Sequence, residues 1–204
     1  MSALRHRAPV FLRVNTARLS REEAQARLSA DGIAAVPHDL SGTALQVIAN
    51  ERKIAGSSAY LGGLVELQDA ASQAVVDMLP LTPGLKVLDY CAGGGGKALA
   101  MAARAPIRLF AHDADPRRMR DLPGRAERAG AAIRLLDEKG VAREAPFDLV
   151  LADVPCSGSG SWRRAPEAKW LLTQDRLDRL CSVQTGILDR IAALVSDRGK
   201  LAYA

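Results

Sequence analysis

The sequence predicts an α/β protein: a doubly wound parallel sheet preceded by a small α+β unit. Three observations carry that expectation. From Lys86 onward, short apolar runs alternate with amphipathic stretches, as strands do when helices cross over between them. The first run, KVLDY, opens into four consecutive glycines, and a later one, residues 147–154 (FDLVLADV), runs into Pro-Cys. Ahead of Lys86 the order is instead strand, helix, strand, strand. The 204 residues therefore divide into a small domain over 1–66 and a larger one over 67–204.

Taken in order, VFLRVN (10–15) reads as a strand. Residues 20–32 read as a helix: Ser20 can cap it, Glu23 completes a capping box, and Gly32 ends it. IAAVPHD (33–39) and ALQVIA (44–49) follow as strands. This order makes half of a ferredoxin-like or RNA-recognition-like fold, without an obvious aromatic strip for stacking bases. A helix over 67–79 leads into the second unit and is stopped by Pro80, Pro83 and Gly84. Strands are then expected over 86–90, 107–113, 131–137 and 147–154, with helices over 97–105 and 116–130. Asp115 is placed as the N-cap of the latter. Leu177, Leu180, Ile187, Leu188, Ile191 and Leu194 share one face of a long helix, with Cys181 expected in the core. KLAYA (200–204) starts a further strand.

Composition narrows the class. The chain is 48% hydrophobic and 25% charged, as soluble globular proteins are. No apolar run approaches the ~18 residues of a membrane span, and the N-terminus lacks a signal-peptide apolar core. A cytoplasmic, membrane-free monomer is expected. The three cysteines, Cys91, Cys156 and Cys181, are far apart with no CxxC, which argues against a disulfide framework or a zinc site, so no metal is expected. His6, His38 and His112 are scattered and read as structural or surface residues. The net charge of +5 suits a polyanionic partner, although an Arg-favouring genome would produce the same excess.

The chemistry-bearing motifs lie at strand ends. The glycine loop comprises Cys91, Ala92, Gly93, Gly94, Gly95, Gly96 and Lys97. Glycines allow close backbone approach, and the following helix start offers free N–H groups. Lys97 is not followed by Ser or Thr, so this is no Walker A loop, and GxGxxG is absent. A nucleoside ligand without a pyrophosphate, such as S-adenosylmethionine, fits better than a tight structural turn alone. Asp113 lies 16 residues beyond Lys97, at the next strand end, where an acid can hold ribose hydroxyls. Asp137, ending the third strand, either reaches an adenine amino group or is a solvated loop acid.

Residues 153–170 (DVPCSGSGSWRRAPEAKW) put an acid and a thiol three residues apart, followed by a flexible stretch and a basic, Trp-bearing one. A thiolate adding to C6 of cytosine makes C5 nucleophilic toward a methyl donor; loss of the C5 proton then frees the enzyme. Arg163 and Arg164 would favour ionisation of Cys156. Asp153 could contact cofactor or base edge. Arg163, Arg164 and Lys169 are expected on RNA phosphates. The bland alternative is a buried Cys beside a linker.

LQDAASQ, VLDYCAGGGGK, AHDADPRRM, FDLVLADVPCSGSGSWRRAPEAKW and LCSVQTGILDRIAALV together make residues 64–204 resemble the Sun/RsmB family of RNA 5-methylcytosine methyltransferases. FLRVN and the helix after it resemble that family's small preceding domain. The resemblance implies a class I methyltransferase (Rossmann-like) sheet, S-adenosylmethionine as cofactor and RNA, notably ribosomal RNA, as partner. It implies that Cys91 to Lys97, Asp113, Asp137 and Asp153 contact the cofactor. It matches Cys156 to the cysteine that assists breakdown of the covalent adduct and product release; the family's nucleophile is a second cysteine, in a Thr-Cys-Ser motif after the fifth strand. Two departures stand out. The loop reads GGGG where the family usually has Ala-Pro-Gly-Gly, and the sequence stops at Tyr203-Ala204, where Thr-Cys-Ser would begin. A C-terminally incomplete sheet is therefore expected, without the family's additional N-terminal helical domain, and the isolated chain is expected to be inactive. Rival readings are a non-catalytic S-adenosylmethionine/RNA-binding module and a DNA cytosine-C5 methyltransferase using Cys156. The CSGSGSWRR continuation argues against the latter, as the missing GxGxxG does against an NAD-dependent oxidoreductase.

Overall fold

Two sheets organise residues 6–204, which are the residues that the computed structural model describes. The first five positions of the small domain, and of the segment read for a leader, lie outside the described residues.

The first sheet contains β1 (Val10–Val14), β2 (Ala34–Pro37), β3 (Ala44–Ala49) and β4 (Val65–Leu67) in the antiparallel order β2-β3-β1-β4. Leu12 lies opposite both Leu45 and Leu67. Helix α1 (Arg21–Ala30) has the expected capping box: the Ser20 hydroxyl accepts from the Glu23 N–H, and the Glu23 carboxylate from the Ser20 N–H. It packs Ala24 and Leu28 on Leu12, Val14, Ile33 and Leu45, all buried. A short α2 (Ser58–Leu61) precedes β4.

The expectation of half a ferredoxin-like fold is corrected here, because β4 completes the four-stranded order. This strand also claims Leu67, where a helix was expected to start; α3 spans only Ala70–Asp77, capped by Asp69. The pattern concealed β4 because its polarity is inverted. Glu66 is 6% exposed, held by Arg125 and Arg128 at 3.3 and 3.0 Å, whereas Leu67 is 46% exposed.

The second sheet is parallel: β5 (Lys86–Asp89), β6 (Arg108–Ala111), β7 (Ile133–Leu135), β8 (Phe147–Ala152) and β9 (Val195–Tyr203), ordered β7-β6-β5-β8-β9. Its central strands are near-continuous apolar runs because both faces are covered. On one face Leu88, Phe110, Phe147 and Val150 meet Ile191 of α7 (Gln174–Ala192). On the other, Val87, Leu149 and Leu151 meet Val76 of α3 and Ala98 and Met101 of α4 (Gly96–Arg104).

Four expectations for this unit are corrected. Residues 116–130 are a 3-10 turn, Pro116–Met119, and then α5 (Leu122–Ala129), since Pro123 starts a fresh helix; Asp115 does cap the turn. A seven-residue helix, α6 (Glu138–Glu144), was missed because it buries only Gly140 and Val141, too few residues to show a period. Cys181 is exposed rather than core: Ile191 is the residue α7 buries, and only its C-terminal half packs on the sheet. β9 begins at Val195 rather than Lys200, because Gly199 lets a bulged strand run through a Ser-Asp-Arg-Gly sequence that reads as a turn. A Cβ at Gly199 would lie 2.6 Å from Val195 Cγ1. Among the described residues no helix is long and apolar enough to cross a membrane.

Candidate functional site

In the parallel sheet the chain leaves β5 toward β6 and β7, then returns to β8 on β5's other side. That reversal opens a crevice at the strands' carboxyl ends. The glycine loop follows β5, and Asp153 and Cys156 follow β8, so the topology alone brings the two principal motifs together.

The loop is rigidly placed. Gly95 has φ +77°, and a Cβ there would lie 2.2 Å from Leu122 Cδ1, so the turn rests directly on α5. The carbonyl of Gly96 accepts from Arg13 at 2.5 Å, and that of Gly94 accepts from Arg125. Arg13 belongs to β1 of the small sheet and also donates to Gln68 Oε1 at 2.5 Å. It is buried, and that burial lowers its pKa to about 10, opposed by Glu66. The small domain thus braces the loop, a role for Arg13 and Gln68 absent from the sequence reading. Arg within an apolar strand was the available signal.

Asp113 is buried and accepts from the N–H of Gly93 at 2.9 Å and of Asp115 at 3.0 Å, with Arg118 3.2 Å away. Lys97 pairs with Asp153 at 2.5 Å. Asp89 was also missed. It is 1% exposed, and neither carboxylate oxygen has a hydrogen-bond partner among the described residues. Burial pushes its carboxyl up to about 7, opposed by Lys97 and by the Ala98 N–H and reinforced by Asp153 and Asp113. An acid ending an apolar strand just before a glycine loop was the sequence signal.

Two hollows flank this loop. One, of about 150 Å³, is lined by Gln68, Ser72, Asp89, Cys91, Lys97 and Asp153, among others. The other, of about 310 Å³, is lined by Tyr90, Cys91, Asp113, Arg118, Pro155 and Ile187, among others. Cys91 borders both. The pair can take an elongated ligand with a charged end and a flatter, more apolar one. The Cys91 thiol is pushed up to about 12, by burial first and then by Asp113 and Asp89, so it stays protonated.

The remaining expected residues are less tightly gathered. Asp137 lines neither hollow; it caps α6, accepting from the Gly140 N–H at 2.7 Å. Cys156 is exposed, just after Pro155, whose carbonyl accepts from Gln184 of α7 at 2.8 Å. Arg163 Nε donates to the His6 carbonyl at 3.1 Å, and Arg164 pairs with Asp69 at 3.0 Å. The Lys169 ammonium lies 5.3 Å from the Trp170 ring centre. These three basic residues lie on a segment whose regular structure is two 3-10 turns, Ser159–Ser161 and Pro166–Lys169.

The sheet order and the glycine loop at its switch point define a Rossmann-like, methyltransferase-type fold. The family model for the 16S rRNA methyltransferase RsmB/F matches residues 76–204, and the model for the RsmF/B-like ferredoxin-like domain matches residues 1–53. The chain belongs to the RsmB/F family of rRNA methyltransferases. It is 34% identical over 204 residues to a Ribosomal RNA small subunit methyltransferase B from Xanthomonas campestris pv. campestris, covering 96% of this chain and 46% of that protein. It is 32% identical over 210 residues to the protein of the same name from Citrobacter koseri, covering 100% of this chain and 49% of that one. A methyltransferase homolog protein from Pyrococcus horikoshii, of solved structure, superposes with TM-score 0.83 at 25% identity, over 99% of this chain and 66% of that one. The chain spans about half the length of the curated relatives it matches.

Proposed function

We propose that this chain holds the cofactor and presents the acceptor-base loop in transfer of a methyl group from S-adenosylmethionine to C5 of cytosine in ribosomal RNA, in the cytoplasm. The observation that carries the reading is Asp89. A buried carboxylate with no side-chain partner and only the Ala98 N–H beside it, facing a hollow it shares with Lys97 and Asp153, calls for a cationic ligand group. The ammonium of a methionine moiety is such a group. The hollow bordered by Tyr90 and Ile187, with Asp113 at its edge, suits an adenosine. The residues present therefore fit S-adenosylmethionine, which supplies an electrophilic methyl group on a sulfonium.

Asp113 would take the ribose hydroxyls while it holds Gly93 in place. Asp137 would serve the adenine edge only by sharing the carboxylate that caps α6. Asp153, anchored by Lys97, would present its second oxygen to the cytosine edge or to the cofactor. When a thiolate has added to C6, the C5 electron pair would form the new C–CH3 bond as the methyl's bond to the sulfonium sulfur breaks, its electrons remaining on sulfur as a neutral thioether. Transfer of the C5 proton to a base then returns that proton's bonding electrons to the ring, and the C6–S bond breaks to regenerate the thiolate. We assign Cys156 to that last stage.

A second reading, in which Cys156 itself adds to C6, has support of its own. Cys91 stays protonated and Cys181 lies out on α7, which leaves Cys156 as the exposed thiol beside the crevice. Incubation with S-adenosylmethionine and RNA carrying 5-fluorocytosine separates the two, because fluorine blocks the proton loss that releases the enzyme. The first reading expects no adduct that depends on Cys156, together with S-adenosylmethionine binding by calorimetry. A shifted band absent in Cys156→Ser establishes the second. Absence of cofactor binding in the folded chain overturns both.

A further inference from the structure

Beyond the cofactor crevice lies a groove of about 490 Å³ that neither the glycine loop nor the strand-end acids explain. It runs between β1 of the small sheet and the basic segment after Cys156. Its principal walls are Arg7, Phe11, Gln68, Asp69, Arg163 and Arg164. Its size falls in the ~300–1,000 Å³ range of small-molecule sites.

Phe11 alternates with Leu12 on β1. Leu12 points into the small domain's core, so Phe11 is left on the opposite face, half-buried and edge-on to His38 at 4.9 Å. Leu67, the exposed leucine of the inverted strand β4, adds a second apolar surface. Three guanidinium groups border the groove against the single carboxylate of Asp69. Arg164 already pairs with Asp69, and Arg7 pairs with Glu51 at 2.5 Å, but these pairs are solvent-exposed and readily exchanged for a phosphate. An aromatic face, an aliphatic face and a surplus of guanidinium groups together fit a nucleotide: a flat base on a polyanionic chain.

Position sets which nucleotide. Gln68 lines this groove and also the hollow that holds Asp89, Lys97 and Asp153, so the two are contiguous. The base to be methylated must lie beside Asp153 and Cys156. The groove meets the hollow at Gln68, where a nucleotide next to the target along the strand would lie.

We propose that the groove is a subsite for the single-stranded nucleotide adjacent to the target cytosine, with its base on Phe11 and Leu67, its phosphate between Arg7 and Arg163, and Gln68 at the base edge. The subsite rests on the RNA reading above. It also gives the small domain a direct part in substrate choice, since Phe11 and Arg7 both come from it.

The test is a double-mutant cycle on the 204-residue chain, read by fluorescence anisotropy with short single-stranded RNAs containing one cytosine. The RNAs carry either a normal base or an abasic site immediately 5′ or 3′ of the cytosine. An abasic neighbour on one side should weaken wild-type binding by roughly 5- to 160-fold, the range for one stacked base. Phe11→Ala should cause the same loss on the intact RNA, and the two changes together should add nothing further. Phe11→Leu keeps an apolar side chain against His38 and should show the same insensitivity to the abasic site, which guards against a folding artefact. Additive losses, or equal binding of all RNAs by wild type, overturn the subsite. If the wild-type chain binds these RNAs with the same strength whether or not the neighbouring base is present while still binding S-adenosylmethionine, the subsite fails and the cofactor reading survives. If it binds neither RNA nor cofactor, the reading fails and takes the subsite with it.

Discussion

The glycine loop and the segment 155–171 both flank the same crevice, yet they are built in opposite ways. Residues 91–97 are fixed from every side: β5 and α4 join them covalently, α5 packs beneath Gly95, and Arg13 and Arg125 hold two of their carbonyls. Segment 155–171 has only two 3-10 turns, and Trp170 is 81% exposed. Its tertiary ties include the Gln184 bond to Pro155, the Arg164–Asp69 pair and the Arg163 bond to His6. A small cofactor needs its donors in place beforehand, since misplaced ones cost binding energy. A polymer supplies enough contact area to order a loose segment as it binds. On the function proposed above, the contrast would put preorganisation on the cofactor side and adaptability on the acceptor side.

The largest expected effect tests the rigid side. Gly95→Ala puts a Cβ into Leu122 at a positive φ, which costs roughly 2–4 kcal/mol of stability. Thermal denaturation of the variant should show a clearly lowered midpoint, with S-adenosylmethionine binding lost or greatly weakened. A variant as stable as the parent would mean that the loop is not held as tightly as its contacts indicate.

Asp89→Asn separates stability from function. The carboxyl sits near 7 in the folded chain, above the ordinary value of 3.8, so the folded state binds the proton more tightly than the unfolded state does. The ionised form therefore lowers stability progressively as pH rises from about 4 to 7, and the full penalty applies above that. Asn removes the penalty: at pH 8 the variant should gain roughly 1–3 kcal/mol, and near pH 4 almost nothing. Its affinity for S-adenosylmethionine should fall at least tenfold, and wild-type affinity should decline as pH drops below about 7. Denaturant titrations at the two pH values, with calorimetry, check both halves. A loss of stability at pH 8 would show that Asp89 has partners of its own.

Asp113→Ala should weaken S-adenosylmethionine binding by roughly 1–3 kcal/mol, the cost of leaving buried hydrogen-bond partners unpaired. Because Asp113 also holds the Gly93 N–H and faces Arg118, some of that loss comes through the loop itself. Asp113→Asn keeps an acceptor for Gly93 and should recover part of the affinity in calorimetry. Equal losses in the two variants would place the whole effect on ligand contact.

What the sequence showed and what it hid follow the same division. Strands β5, β6 and β8 were legible because both their faces are apolar, and α1 was legible because Ser20 and Glu23 write its start. Asp113 and the glycine loop stood out as candidate site residues because strand ends are marked by abrupt changes in polarity. Asp89 was overlooked because an acid ending a strand looks the same whether it is solvated or buried without a side-chain partner. Arg13 and Glu66 break the apolar pattern of their strands because they belong to a charged seam between the two sheets, where each is held by residues distant in sequence. Nothing local could reveal those partners. Nor could it show that Asp137 is occupied in capping α6, because that helix is too short to announce itself.

The smallest effect on stability belongs to the loose side and completes the contrast. Replacing Arg163, Arg164 and Lys169 with Ala removes, among other contacts, one exposed ion pair, one hydrogen bond to a backbone carbonyl and a surface cation–ring contact. Exposed contacts of this kind are individually worth little, so the thermal midpoint should barely move. RNA binding should respond in a different currency. If all three residues neutralise phosphates, the slope of log affinity against log salt should become shallower by about 2, since each single-strand phosphate contact contributes roughly 0.7. Affinity at low salt should fall while affinity at high salt changes far less. Anisotropy titrations across a salt series, beside a melting curve for the same variant, read both quantities. A shallower slope with an unchanged midpoint establishes the segment as a substrate surface that folding does not depend on. A lowered midpoint with an unchanged slope would make it a structural strap between Asp69 and α7, and the contrast between the two sides of the crevice would fail.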